Sequence, residues 1–428
     1  MPETESLRQL NARQAAARLG VKLETVYAYV SRGVLERVPS EDGRGSLFDA
    51  RSVERLAGKR RGGARTGGLS VVLGTGLTLI EPDRVSYRGL NTATLARTTA
   101  FEDVAEWLWL GESRPSGITA RVDTWRPWVA APEALAVARD TQRSLPDGTA
   151  TADRLRAIAS AVGPTDPLRF DLAPDAVAAS ARRLIAAMVD GLPEAAPLAG
   201  PDLKFGGAAS LAQSLASRLW QRLTPETPSH EDLISLNALM VLVADHGLAA
   251  STLAARIAAS VRADPYSVVA TGLGTLSGPL HGAASASVHR LFAEVERPAR
   301  ATAVLGEFLR RESRVPGFGH TIYQDWDPRA VVLLDLIRTN APPTQRLEVV
   351  ERVLELILDR ASVRVRPNVD FAIGALTFIS GMDERAGETI FGVSRSAGWI
   401  AHALEEYREP ALRFRPRAHY TGPAPERE

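Results

Sequence analysis

Not one cysteine occurs among the 428 residues. A disulfide framework, a thiolate nucleophile and a cysteine zinc site are therefore excluded, and the absence fits a cytoplasmic protein. Charge of one sign is missing too: 51 basic side chains stand against 50 acidic ones. No overall field draws the molecule to nucleic acid or membrane, so any such attraction must be local. The longest apolar run, near residues 236–250, is interrupted by Asp245 and His246 and falls short of a membrane span. The opening Met1-Pro2-Glu3-Thr4-Glu5 lacks the basic-then-apolar order of a signal peptide, so no export is expected. No repeat of fixed period is found.

What is present implies two or three domains, because the chain exceeds one ordinary core. Residues 1–66 hold thirteen Lys/Arg against eight Asp/Glu, which leaves the rest slightly acidic. The glycine-rich, basic residues 59–68 cannot bury apolar surface and read as a linker. Beyond it, helical spacing dominates, for example at residues 174–188, 211–223 and 346–358. Strand-like content is confined to pieces such as 69–73 and 85–87, so residues 69–428 are expected to be mainly α-helical.

Within residues 1–58, a first helix over 10–19 turns Ala15, Ala16 and Leu19 inward and ends at Gly20. A second helix follows, with Val26 and Val30 inward and Thr25, Tyr29, Ser31 and Arg32 outward. A polar loop over 40–45 then precedes Leu47-Phe48 and a third helix near 49–56. This order resembles the winged helix-turn-helix DNA-binding domain of the MerR/excisionase class. The resemblance implies that Thr25, Tyr29 and Arg32 read DNA, with Lys22 and Arg37 on its backbone. A packing or interaction module is the reading the residues leave open beside it.

Three stretches of the body mix histidine or aspartate with glycine, proline and charge. His281, in Gly278-Pro279-Leu280-His281-Gly282, precedes a helical stretch, where the helix dipole disfavours an imidazolium. It reads as a helix cap or as a neutral donor to a developing oxyanion. His320, in Val315-Pro316-Gly317-Phe318-Gly319-His320, is followed by Asp327-Pro328-Arg329. Its glycines permit close approach of backbone to a ligand, and the arginine fork suits a carboxylate. Asp370 follows Pro367-Asn368-Val369 and opens an apolar helix, as an N-cap or as a base toward a carbon acid.

The order of these segments, with Val85-Ser86-Tyr87-Arg88-Gly89, Ala244-Asp245-His246, Ser394-Arg395-Ser396-Ala397-Gly398-Trp399-Ile400-Ala401-His402 and Arg415-Pro416-Arg417, resembles the citrate synthase family across nearly the whole body. The resemblance implies a large helical domain and a smaller one at about 283–375, closing over substrate. It implies condensation of acetyl-CoA, or propionyl-CoA as in 2-methylcitrate synthases, with oxaloacetate, by an obligate homodimer that needs no metal and no permanently bound cofactor. Asp370 would be the base, His281 the holder of the enol oxygen and His320 the donor to the oxo-acid carbonyl. His246, Arg329, Arg395 and Arg415 would hold carboxylates, Arg415 in the partner subunit's site, and Val315, Gly317, Phe318 and Gly319 would meet CoA. A metabolite-sensing regulator whose body binds ligand without turnover is the rival expectation.

Departures from the family pattern cluster near CoA, where Thr321 and Gln324 replace the usual Arg and Lys, and around His246, where Gly247 and Ala249 replace Glu and Asn. His230, His289 and His419 match nothing catalytic. His402, seven residues from Arg395 and three from Trp399, is expected to pack, with bracing of the arginine as the alternative.

Overall fold

The computed structural model describes residues 9–19, 21–31, 34–39, 46–50, 52–53, 72–111, 127–195, 213–278, 284–312, 315–359, 366–415 and 422. The chain divides into two compact units, Met1–Gly74 and Thr75–Glu428. The linker expected at 59–68 lies outside the described residues.

In the first unit, strand β1 (Gln9–Asn11) leads into helices α1 (Ala12–Leu19) and α2 (Leu23–Ser31), followed by β2 (Val38–Pro39) and β3 (Ser46–Asp49). The strands form an antiparallel sheet in the order β1-β3-β2, pairing Leu10 with Phe48 and Val38 with Leu47. Helix α1 begins later than its apolar spacing suggests because Asn11 and Gln14 cap one another. The Asn11 Oδ1 accepts from the Gln14 amide and the Gln14 Oε1 from the Asn11 amide, each at 2.9 Å. Ala15, Ala16, Leu19 and Val26 are buried with Leu35, Phe48 and Val53, as the spacing requires.

Tyr29 does not project outward. It packs against this small core, because three residues past Val26 on a helix is the same face. Tyr27 is the exposed aromatic instead. Lys22 is exposed and Thr25 half-buried, while Arg32 lies outside the described residues.

The second unit opens on a small antiparallel sheet, β4 (Thr78–Ile80), β5 (Val85–Tyr87) and β6 (Leu90–Asn91), with β5 in the middle. Of the strand expected at 69–73, residues 69–71 lie outside the described residues, and 72 and 73 are not in a strand. Helices follow: α3 (Thr92–Thr98), α4 (Phe101–Leu110), α5 (Pro132–Ser144), α6 (Thr151–Val162), α7 (Pro174–Asp190), α8 (Leu215–Leu223), α9 (His230–Val243), α10 (Ala250–Ser260) and α11 (Pro265–Leu276). Then come α12 (Ala284–Val295), α13 (Ala301–Arg311), α14 (Pro328–Asn340), α15 (Gln345–Leu358), α16 (Val369–Ile379) and α17 (Ala386–Tyr407). No helix among the described residues is long and apolar enough to cross a membrane.

Their boundaries follow local chemistry. Proline at the first turn, where the missing N–H costs nothing, starts α5, α7, α11 and α14. Ser229 and Asp232 form a capping box on α9. Helix α17 is buried on nearly every side and packs on α4, α6, α7, α9, α10 and α11. Helices α12, α13, α15 and α16 pack on one another, while α14 bridges α16 to α9.

Small residues let α17 approach closely. A Cβ on Gly398 would collide with the Ala244 carbonyl oxygen and sit 2.6 Å from Asp245 Oδ1. Gly398→Ala should therefore lower the melting temperature by roughly 5 °C, from an overpacking cost of about 2 kcal/mol, which differential scanning calorimetry checks.

Candidate active site

Three chain segments converge on a cavity of about 460 Å³, lined among others by His246, His320, Arg329, Asp370 and Arg395. The first is the turn after α9. Tyr87, wholly buried on β5, donates through its hydroxyl to the Asp245 carbonyl at 2.8 Å and accepts from the Asp245 amide at 3.1 Å. The turn is thereby fixed, and His246 is presented to the cavity.

The second and third segments are joined to each other. Phe318 bridges Pro367, the Gly319 amide donates to the Arg366 carbonyl, and the Asn368 amide donates to the Gly317 carbonyl, both at 2.9 Å. The Asn368 side chain donates to the Gly319 carbonyl at 2.8 Å and caps α16 by accepting from the Asp370 amide at 3.0 Å. His320 and Asp370 are thus carried by one hydrogen-bonded ribbon. Gly317 is required there: its φ is +77°, and a Cβ would stand 2.8 Å from the Phe371 backbone.

Asp327 caps α14 and also holds Arg329 bidentately, Nε to Oδ1 at 3.0 Å and Nη2 to Oδ2 at 2.8 Å. Its Oδ2 accepts from the Val369 amide as well, at 3.0 Å, which ties Arg329 to the start of α16. Arg395 differs. Only 1% exposed, it donates Nε to the Val243 carbonyl at 2.7 Å and lies 4.5 Å over the Phe391 ring, with no carboxylate paired to it among the described residues. Burial pushes its guanidinium down to about 10, against the pull of Asp245 and Tyr87. A buried cation without a partner is costly and marks a place for an anion.

Protonation states follow from the surroundings. Burial, and then the positive Arg329 and Arg395, hold His246 well below its ordinary value, so it is neutral at pH 7. Burial and Arg329 also lower His320. Its Nδ1 accepts from the Ile322 amide at 3.0 Å and the Tyr323 amide at 3.4 Å. That leaves the ring proton on Nε2, available as a donor. Burial raises the half-buried Asp370 carboxyl to about 6, against the pull of Arg329 and Arg395. The result is a base that is ionised at pH 7 yet holds a proton readily.

Of the residues singled out by sequence, His246, His320, Arg329, Asp370 and Arg395 therefore share one cavity. His281 lies outside the described residues, between α11 and α12. Arg415 is exposed and away from the cavity. Val315, Gly317, Phe318 and Gly319 do not line it; Phe318 stacks edge-on against Phe371 at 5.0 Å and supports the ribbon from behind. His402 is fully buried, with Nε2 3.3 Å from Asp245 Oδ1. Among the described residues no group of three or more His, Cys, Asp or Glu is arranged to hold a metal ion.

Sequence reasoning missed Tyr323. Its hydroxyl lies 2.7 Å from His246 Nε2 and its ring 4.7 Å from that of His320, under the Arg329 guanidinium. Its only signal was a place three residues past the histidine that follows Gly319. Tyr323→Phe leaves the His246 nitrogen unpaired and should weaken binding of an anion in this cavity by about tenfold, read by calorimetry.

The chain matches the family model "Citrate synthase, C-terminal domain" over residues 68–417. It is 34% identical to citrate synthase 2 of Bacillus subtilis over 212 residues, which is 49% of this chain and 56% of that protein, so this match spans about half of the relative. It is 30% identical to 2-methylcitrate synthase of Mycobacterium tuberculosis over 375 residues, 82% of this chain and 88% of that one. Its fold is similar to that of citrate synthase from Thermoplasma acidophilum, solved as a ternary complex with carboxymethyl coenzyme A and oxaloacetate, at a TM-score of 0.67 and 23% identity, covering 84% of this chain and 96% of the other.

Proposed function

Because the chain belongs to the citrate synthase family, we propose that it condenses an acyl-CoA thioester, acetyl-CoA or its propionyl homologue, with oxaloacetate and releases CoA. The observation that carries this reading is one cavity holding Asp370 as a base near neutrality, a His320 donor with its Nε2 proton free, and a buried Arg395 with no carboxylate paired to it among the described residues.

Asp370 takes a proton from the carbon next to the thioester carbonyl, and His281 holds the resulting enol oxygen, a role it has from the family resemblance. The electron pair of that carbon attacks the oxo-acid carbonyl carbon. The carbonyl oxygen takes its proton from His320. Arg395 and Arg329 hold carboxylates as guanidinium forks, with neutral His246 as a further hydrogen-bonding partner. Water then attacks the thioester, and the sulfur leaves as CoA thiol. The family resemblance gives the backbone of residues 315–319 to CoA, outside the cavity, which they do not line. Arg415, exposed on its own chain, completes the partner subunit's site in a homodimer.

Acetyl and propionyl thioesters differ by one methylene, worth about 1–3 kcal/mol in an apolar pocket. Both substrates therefore belong in the test. Thiol release from each, with oxaloacetate and without it, should show oxaloacetate-dependent CoA formation with at least one. Absence of release with both would defeat the proposal. The regulator alternative has less support, because the only charged residue of α2 is Glu24 and Tyr29 is packed inward.

A further inference from the structure

The segment leading into the cavity histidine His246 is held by a row of residues on α17. Arg395, Gly398, His402 and Glu405 recur at spacings of three and four, so they lie on one face of that helix. Arg395 bonds the Val243 carbonyl at 2.7 Å, and the Gly398 amide bonds the Ala244 carbonyl at 3.1 Å. His402 continues the row. The Arg256 Nη1, which can only donate, points at His402 Nδ1 from 3.0 Å, so Nδ1 carries the lone pair and Nε2 the proton. That Nε2 lies 3.3 Å from Asp245 Oδ1, a close polar contact short of hydrogen-bond geometry, and neither atom has a hydrogen-bond partner among the described residues.

The other Asp245 oxygen accepts from the Thr78 hydroxyl at 2.5 Å and from the Gly247 amide at 3.0 Å. The carboxylate therefore ties the backbone just past His246 to β4. Arg256 is itself fixed by Glu405 at 2.8 Å and Glu406 at 3.1 Å, both on α17.

We propose that His402 is a positioning residue for the oxo-acid site, acting through Asp245 to hold the turn that aims His246 and to set a negative charge behind Arg395. The inference rests on the condensation reading above for the identity of the anion. Although burial alone would raise it, His402 and Arg395, with the Thr78 bond, keep the Asp245 carboxyl at about 2, so the carboxylate stays ionised throughout the working range.

Two amide substitutions separate the two ring nitrogens. In His402→Gln the side-chain amide reaches the place of Nε2 and keeps a polar N–H beside Asp245. In His402→Asn it reaches only the place of Nδ1, and Asp245 loses that polar neighbour. Oxaloacetate affinity is measured by calorimetry and its KM and kcat by thiol release, at a temperature where circular dichroism shows each variant folded. The inference expects a Kd and KM raised at least tenfold in His402→Asn, with His402→Gln within threefold of wild type.

A purely structural role would lower the melting temperature of both variants and leave oxaloacetate affinity unchanged in both; that result overturns the inference while the condensation reading stands. If wild type binds oxaloacetate but releases no CoA, the condensation reading fails, and the Kd comparison still decides the role of His402. If wild type binds no oxaloacetate, both fall together.

Discussion

Asp370→Asn should lower CoA release by about 10²–10⁴-fold and, at pH 7, raise the melting temperature. Both effects come from one environment. Removing water from the carboxyl lifts its pKa from an ordinary 3.8 to about 6, which tunes it to accept a proton from carbon. The same lift means that the folded chain binds this proton more tightly than the unfolded chain does. Stability from the group is therefore fully present below the ordinary value and is lost as pH rises through about 6. At pH 7 the ionised carboxylate costs the fold about 1–3 kcal/mol, and asparagine removes that cost. In wild type, kcat/KM should fall on the acid side with a midpoint near pH 6, as the base becomes protonated. Asp370→Asn should lose this limb together with its rate. A variant that is inactive but less stable would point instead to a structural carboxylate.

Arg395→Met should weaken oxaloacetate binding by about 10²–10³-fold, with a smaller loss in kcat. Methionine keeps an apolar stem over Phe391 but removes the fork. The size follows from burial: among the described residues this guanidinium has one backbone acceptor and no paired carboxylate, which leaves donors for a ligand. Arg329 is already held bidentately by Asp327 and offers less of its charge to an incoming anion. Thermal shift gives the cleanest reading. Wild type should gain several degrees in excess oxaloacetate, as any ligand specific for the folded state requires, and Arg395→Met should gain almost none.

Much of this site was legible in the sequence where backbone chemistry is local. Gly317 and Gly319 announced a close approach, and Asp370 announced the opening of an apolar helix, although the residue that caps it is Asn368, whose Oδ1 accepts from the Asp370 amide. Their joining was not legible, because it depends on a ribbon between residues 317–319 and 366–368, about fifty positions apart in sequence. Tyr323 and the Asp245–His402 pair stayed hidden for the same reason. Each gains its meaning from a partner on another element. In the first unit the helical period was sound, but residues 10 and 11 lie in a strand that pairs with β3, a partner no local pattern announces. Tyr29 was misjudged through the choice of face alone.

The central claim is that Asp370, His320 and Arg395 act on two substrates held side by side. Incubation of the protein with isotopically labelled acetyl-CoA or propionyl-CoA and oxaloacetate, followed by mass spectrometry, tests it most directly. The label should appear in a tricarboxylate bearing a tertiary hydroxyl, and the yield should collapse in Asp370→Asn. Recovery of both thioesters intact, with all label still on CoA, would contradict it.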